Sequence, residues 1–159
     1  MILLSVGKQL GFDRLVMAMD AIAPQLGHEV IAQTGAGTFS PRNMQAQAHF
    51  SAEEFEQLVA AADLIVAHAG IGSILSARRH SRPIVLMPRR AELREHRNDH
   101  QLATAGQLRG RSQIFIADRE DDLPGQIAAA LAPGQTTQPE TPAALAQLQG
   151  AIMRFIAGD

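Results

Sequence analysis

Two hydrophobic spacings take turns along this chain. Short unbroken apolar runs at Met1-Ile2-Leu3-Leu4-Ser5-Val6, His28 to Gln33, Leu64 to Ala67, Ile84-Val85-Leu86-Met87 and Gln113 to Ile116 have the length of buried strands. Between them, apolar residues recur three and four apart, as at Leu15, Met19, Ile22 and Leu26 or at Phe55, Leu58, Val59 and Ala62, the spacing of one helical face. Punctuation agrees: Gly27 closes the first helix, Ser51 with Glu54 makes a capping box, Pro88 ends a strand, and Asp118 caps a helix with Asp121 and Asp122 in its first turn. A short strand over Gln47 to Phe50 and helices from Ser73 to about His80 and from Asn98 to Leu108 complete the series. Polar loops are expected over Gly7 to Asp13 and Arg89 to Arg97. Strands alternating with helices in this way predict an α/β fold built on a doubly wound parallel sheet. Such sheets bind ligands at the C-terminal ends of their strands, near the point where strand order reverses.

The tail of the chain follows a different pattern. Pro133 to Pro142 is a linker of Gln, Thr, Pro and Gly, and Ala143 to Ala157 carries Leu145, Leu148, Ile152, Phe155 and Ile156 on one helical stripe. The expected organisation is a ligand-binding domain over 1–132, a linker over 133–142 and a C-terminal helix over 143–159. The stripe must be buried somewhere, on its own domain or on another chain, and the expectation favoured is the second, with the helix docking a partner.

Candidate chemistry concentrates where an apolar run breaks into glycines, Asp63-Leu64-Ile65-Val66-Ala67-His68-Ala69-Gly70-Ile71-Gly72-Ser73-Ile74-Leu75-Ser76-Ala77. This reads as strand, tight turn and helix. Gly70 and Gly72 let backbone approach a ligand closely, Ser73 is placed to cap the helix, and the free N–H groups of the helix suit a phosphate or diphosphate. An ordinary strand-to-helix turn has the same outline. A second glycine turn, Thr34-Gly35-Ala36-Gly37, is expected on the same sheet edge. His68, at the end of a buried strand, reads first as a hydrogen-bonded residue that shapes the turn and second as a catalytic base.

Composition narrows the chemistry. The 159 residues include six Phe but no Trp or Tyr, which argues against a carbohydrate or nucleic-acid surface made of aromatic platforms. With no Cys there is no disulfide, thiol nucleophile or thiolate-held metal, in keeping with a reducing compartment and a cytoplasmic location. A net charge of −2 gives no general attraction to nucleic acid. Arg78, Arg79, Arg82, Arg89, Arg90, Arg94 and Arg97 nevertheless face only Glu92 and Glu95 in their segment, forming either a solvated basic face or an anion-binding surface. Arg89 and Arg90, directly after a strand, are the arginines best placed to meet an anionic group. His96 and His100 are four apart but lack the His-Glu-x-x-His form, so no metal site is expected. No run is long enough to span a bilayer, and the first strand lacks a basic leader. A dinucleotide-dependent oxidoreductase is disfavoured because no Gly-x-Gly-x-x-Gly follows the first strand and no acid ends the second.

Taken together, Ser5-Val6-Gly7 with Phe12-Asp13-Arg14-Leu15-Val16, Gln33-Thr34-Gly35, the run from Ala62 to Ile74, Arg82 to Arg90, and Glu95-His96 with Asp99-His100-Gln101-Leu102 resemble the C-terminal, nucleotide-sugar-binding domain of family 28 glycosyltransferases. The matching pieces run in order over about the first two thirds of the chain. Their arrangement is similar to that of stand-alone donor-binding subunits: the small half of the two-part dolichol-pathway N-acetylglucosaminyltransferase and bacterial relatives in exopolysaccharide synthesis. The resemblance implies a Rossmann-like half of a GT-B enzyme. It also implies an inverting, metal-independent transfer of a hexose from a UDP-sugar, needing no cofactor. The acceptor, a polyprenyl-diphosphate-linked sugar, would be held by a separate membrane-anchored subunit that recruits this chain to the inner membrane face. A non-catalytic nucleotide-binding or regulatory module is the alternative.

By the same resemblance, Gly70, Gly72, Ser73 and Ile74 would surround the diphosphate. Gly7, Gln33 and Gly35 would line the nucleotide side, and His100 and Gln101 would face the sugar. In one place the chain departs: family members often carry a glutamate directly after the Gly-Ser-Ile-Leu run to hold the ribose hydroxyls, and Ser76 stands there.

Overall fold

The computed structural model describes residues 1–134 and 141–157, except the side chain of Ile156. Six parallel strands form one sheet in the order β3-β2-β1-β4-β5-β6. They are β1 (Ile2–Ser5), β2 (Val30–Gln33), β3 (Gln45–Gln47), β4 (Leu64–His68), β5 (Ile84–Met87) and β6 (Ile114–Ile116). The chain steps outward from β1 to β3 and then returns through β4 to the other side of β1. The switch point therefore lies between β1 and β4.

Alternate residues of the central strands feed two apolar layers, as the two-residue period of a strand requires. Ile2, Leu4, Leu64, Val66, Val85 and Met87 pack with Leu15, Val16 and Met19 of α1 (Asp13–Ile22) and with Leu123 and Ile127 of α5 (Leu123–Leu131). Leu3, Ile65, Ala67, Ile84 and Leu86 pack on the opposite face. Their partners are Val59 of α2 (Ala52–Ala61), Ile74 and Ala77 of α3 (Ile71–Arg79), and Ala105 and Leu108 of α4 (His100–Leu108).

Some boundaries differ from expectation, each for a local reason. The first helix stops at Ile22 and tightens into a 3-10 turn over Ala23–Gln25, because Pro24 has no N–H to continue the ladder. The short third strand is Gln45–Gln47 rather than Gln47 to Phe50. It is polar and exposed, as an edge strand tolerates, while Phe50 turns into the interior. Asp118 does not cap the following helix, because its carboxylate takes both contacts of the Arg109 guanidinium at 2.9 Å. Asp122 instead accepts the Arg119 N–H. The capping box at Ser51 and Glu54 is present, with both reciprocal hydrogen bonds made.

Most of the expected linker, residues 135–140, lies outside the described residues. The last helix, α6 (Pro142–Ala157), begins one residue earlier than the sequence suggests. Thr141 Oγ1 accepts the Ala144 N–H, and proline is tolerated at the first helical position. α6 lies against α3 and α4 and buries Leu148 and Ile152 in the domain's own second layer. Leu145 is half-buried, Met153 and Phe155 are exposed, and the side chain of Ile156 lies outside the described residues.

Candidate functional site

Where β1, β2 and β4 end together, their loops enclose a cleft of about 340 Å³. Ser5, Gly7 and Lys8 reach it from β1, Gln33 from β2, His68 from β4, and Gly72, Ser73 and Ser76 from α3. Ala52, Phe55 and Glu56 of α2 close the far wall.

The floor is built around His68. Its Nδ1 lies 3.4 Å from the Ser5 carbonyl oxygen, and its ring fills the space beside two glycines. A Cβ on Gly70 would collide with that ring, and one on Gly7 would come to 3.1 Å from it. Gly70 is thus small because a histidine sits against it. Burial, reinforced by the nearby Arg89 charge, pushes the His68 pKa from 6.5 down to about 4. The imidazole is neutral near pH 7 and too weak a base to draw a proton efficiently there. This geometry supports the turn-shaping reading.

Gly35 has a left-handed φ of +59° and lies so close to the Gly7 carbonyl that a side chain would strike it. It joins the two loops rather than opening onto the cleft. Gly72 differs, since a Cβ there would meet nothing within 4 Å. Helix α3 starts at Ile71 with Gly70 as its N-cap, so Ser73 is not the cap but sits inside the first turn, its side chain buried. The Ile74 side chain is wholly buried and its N–H bonds to the Gly70 carbonyl. The earlier N–H groups of the turn have no intrahelical acceptor and point out of the N-terminus.

Gln33 is 2% exposed. Its Oε1 accepts from Ser5 Oγ at 3.0 Å, while its Nε2 is buried without a hydrogen-bond partner. An unmet buried donor costs about 1–3 kcal/mol, which a ligand acceptor would recover. In the same lining, Glu56 Oε1 accepts from Ser76 Oγ at 3.3 Å, and its Oε2 lies 2.8 Å from His80 Nε2. The His80 hydrogen bond is the main cause holding the Glu56 carboxyl below its usual range.

The arginines after β5 serve a different end. Arg89 is 3% exposed, and its guanidinium donates at 2.7 Å to the carbonyls of both Val6 and Leu10 and stacks 5.0 Å from the Phe12 ring. Arg90 pairs with Glu92 and donates to the Asp118 carbonyl. Gln101 is buried and accepts the Arg89 N–H. His100 is exposed at the start of α4, and none of these four residues lines the cleft. The motif residues Arg14 and Glu95 form a bidentate pair at 2.6 and 2.8 Å, clamping α1 to the loop after β5. A second cleft on the same edge, about 590 Å³, lies between Gln9 and Leu10 on one side and Arg94, His96 and Arg97 on the other.

Sequence reasoning did not single out Lys8, Phe55 or Glu56. Lys8 follows Gly7 on the binding edge, a readable signal. Glu56 had none, because only the packing of α2 on α3 brings it to the cleft. Among the described residues, no three His, Asp or Glu group as a metal site, and no helix is long and apolar enough to cross a membrane.

The family profile of the glycosyltransferase family 28 C-terminal domain matches residues 1–155. No curated protein matches the chain. Among solved structures, the glycotransferase of kitacinnamycin is 19% identical with a TM-score of 0.62, over 99% of this chain and 39% of its own. CalG4, the calicheamicin glycosyltransferase, is 16% identical with a TM-score of 0.58, over 98% of this chain and 38% of its own. The Streptomyces sp. SF2575 glycosyltransferase SsfS6, complexed with thymidine diphosphate, is 19% identical with a TM-score of 0.54, over 99% and 37%. At these identities the likeness is one of fold, that of the C-terminal half of a GT-B glycosyltransferase. The chain spans about two fifths of the length of these structures.

Proposed function

The chain belongs to the glycosyltransferase family 28 C-terminal domains, and from that premise we propose that it binds the donor of an inverting, metal-independent UDP-sugar hexosyltransferase. The observation that carries this reading is the cleft over β1, β2 and β4. There a helix N-terminus, the cation of Lys8 and the unpartnered Gln33 Nε2 share one lining with Gly72, where nothing fills the Cβ space. Helix N–H groups and a lysine are suited to hold a diphosphate and to stabilise the charge that grows on it as the glycosidic bond breaks. The second cleft, beside Arg94 and Arg97, would take the sugar end.

In this proposal the acceptor, a polyprenyl-diphosphate-linked sugar of exopolysaccharide or glycan synthesis, is held by a separate membrane-anchored subunit. That subunit also supplies the base that deprotonates the acceptor hydroxyl, since His68 is held neutral with a pKa of about 4. Recruitment by it places this chain at the inner membrane face, and without it no sugar is transferred. The same weak basicity of His68 favours the second reading, a nucleotide-binding module without catalysis of its own.

Calorimetric titration of the chain with UDP, thymidine diphosphate and UMP tests the site: UDP binds, and loss of the β-phosphate weakens binding at least about tenfold. Equal affinity for UDP and UMP would remove the diphosphate from the argument. Incubation with a UDP-sugar, a candidate partner and a lipid-linked acceptor separates the two readings, because the module binds UDP under every pairing and transfers nothing.

A further inference from the structure

The residues lining the nucleotide cleft include a single acid, Glu56. Its presence needs a reason, because a carboxylate in a site for a diphosphate repels the ligand unless it faces a part that offers hydrogen-bond donors. It is also not a stray surface acid. Ser76 in the last turns of α3 and His80 at its C-cap hold one oxygen each, at 3.3 and 2.8 Å, and Arg79 stands 3.4 Å away. The carboxylate is thus oriented from behind and still 41% exposed at the cleft wall. A carboxylate has about four lone-pair positions, so each oxygen retains acceptor capacity.

The same lining offers the reverse chemistry, with the buried Gln33 Nε2 as an unmet donor. The cleft thus presents both a donor and an acceptor to a ligand. In a nucleoside diphosphate, the only vicinal hydroxyl donors are those of the ribose. A carboxylate accepting from a ribose 2′-hydroxyl is a general solution in nucleotide-binding α/β sheets.

We propose that Glu56, presented by α2 and oriented by Ser76 of α3 and by His80 at that helix's C-cap, accepts hydrogen bonds from the ribose diol and makes the site selective for ribonucleoside over 2′-deoxyribonucleoside diphosphates. This rests on the nucleotide-site reading and adds a specificity-determining residue to it. The selectivity arises between α2, which carries the acid, and α3 with its C-cap, which carries the two supports.

The test is a thermodynamic cycle by calorimetry: UDP and 2′-deoxyuridine diphosphate against wild type, Glu56→Ala and, as a control on the same helix, Glu53→Ala. Wild type and the control are expected to prefer UDP by about tenfold or more, the usual worth of a hydrogen bond to a charged group, and Glu56→Ala to bind both ligands alike. His80→Ala is expected to give an intermediate preference with diphosphate binding retained. If wild type binds both ligands equally, or if Glu56→Ala keeps the preference, the assignment of Glu56 is overturned while the nucleotide site stands. If wild type binds neither ligand, the nucleotide-site reading itself fails and the assignment falls with it.

Discussion

The C-terminal edge of the sheet is built in two ways. Over β1, β2 and β4 the loops end in small residues, and polar groups are left open to a ligand: the buried Gln33 Nε2 without a partner, the first N–H groups of α3 and the exposed Lys8 ammonium. Beyond β5 most side chains are engaged, although the buried Arg89 Nε has no partner. Arg89, Arg90, Arg14, Glu95 and Gln101 bond to carbonyls and to one another, joining the loop after β5 to the loop after β1. Within the basic segment Arg89 and Arg90 are thus taken up by the protein's own acceptors, whereas Arg94 and Arg97 line the second cleft. The pair of glycines in one turn repeats the contrast, since Gly70 is closed by His68 and Gly72 is open.

The largest effect that could break this contrast is expected at Arg89. Arg89→Leu removes the donor to the Val6 and Leu10 carbonyls, so urea denaturation should show a loss of about 3 kcal/mol. A variant of unchanged stability but weakened UDP binding would move Arg89 to the ligand side of the comparison.

His68 offers a similar magnitude through pH. The fold lowers its pKa from 6.5 to about 4, so the unfolded chain takes up a proton first as pH falls. Its contribution is complete above pH 6.5 and declines by about 3 kcal/mol on the way to pH 4. Denaturation midpoints measured across that window should flatten in His68→Asn. An unchanged slope would mean that the ring is not held neutral by burial.

A smaller effect is expected at Gly72, where the Cβ space is open. Gly72→Val should fold with stability within about 1 kcal/mol of wild type, yet lose UDP affinity by about thirtyfold, close to 2 kcal/mol. Retained affinity in the folded variant would detach the α3 N-terminus from the ligand.

The smallest change in stability concerns α6, where Leu148 and Ile152 face inward and Met153 and Phe155 face out. Phe155→Ser should leave the thermal midpoint nearly untouched, within about 0.5 kcal/mol, whereas Leu148→Ala should cost about 2–3 kcal/mol. Equal costs would mean that the two faces do not differ. Because Leu148 and Ile152 are taken up by the domain itself, docking of a partner by this helix would fall to its outer face, and a pull-down with Phe155→Ser tests it without unfolding the domain.

Much of the frame was legible in the chain itself. Unbroken runs such as Ile84 to Met87, short and followed by proline, read as strands covered on both sides, and Ser51 with Glu54 announces a helix start through local hydrogen bonds alone. The glycine turn between β4 and α3 was readable for the same reason, because close backbone approach needs small residues wherever the chain goes next. What Arg89, Gln101, Ser76 and Glu56 do was not readable, since each bonds to residues at least 12 positions away. Nor could the helical period of α6 say which surface would cover Leu148 and Ile152. Sequence determined the elements, their order and the sheet edge that carries the glycine turns, because these follow from periodicity and from backbone chemistry over a few residues. Tertiary structure alone decided which polar groups on that edge remain unmet, because a donor's satisfaction depends on acceptors that only folding brings within reach.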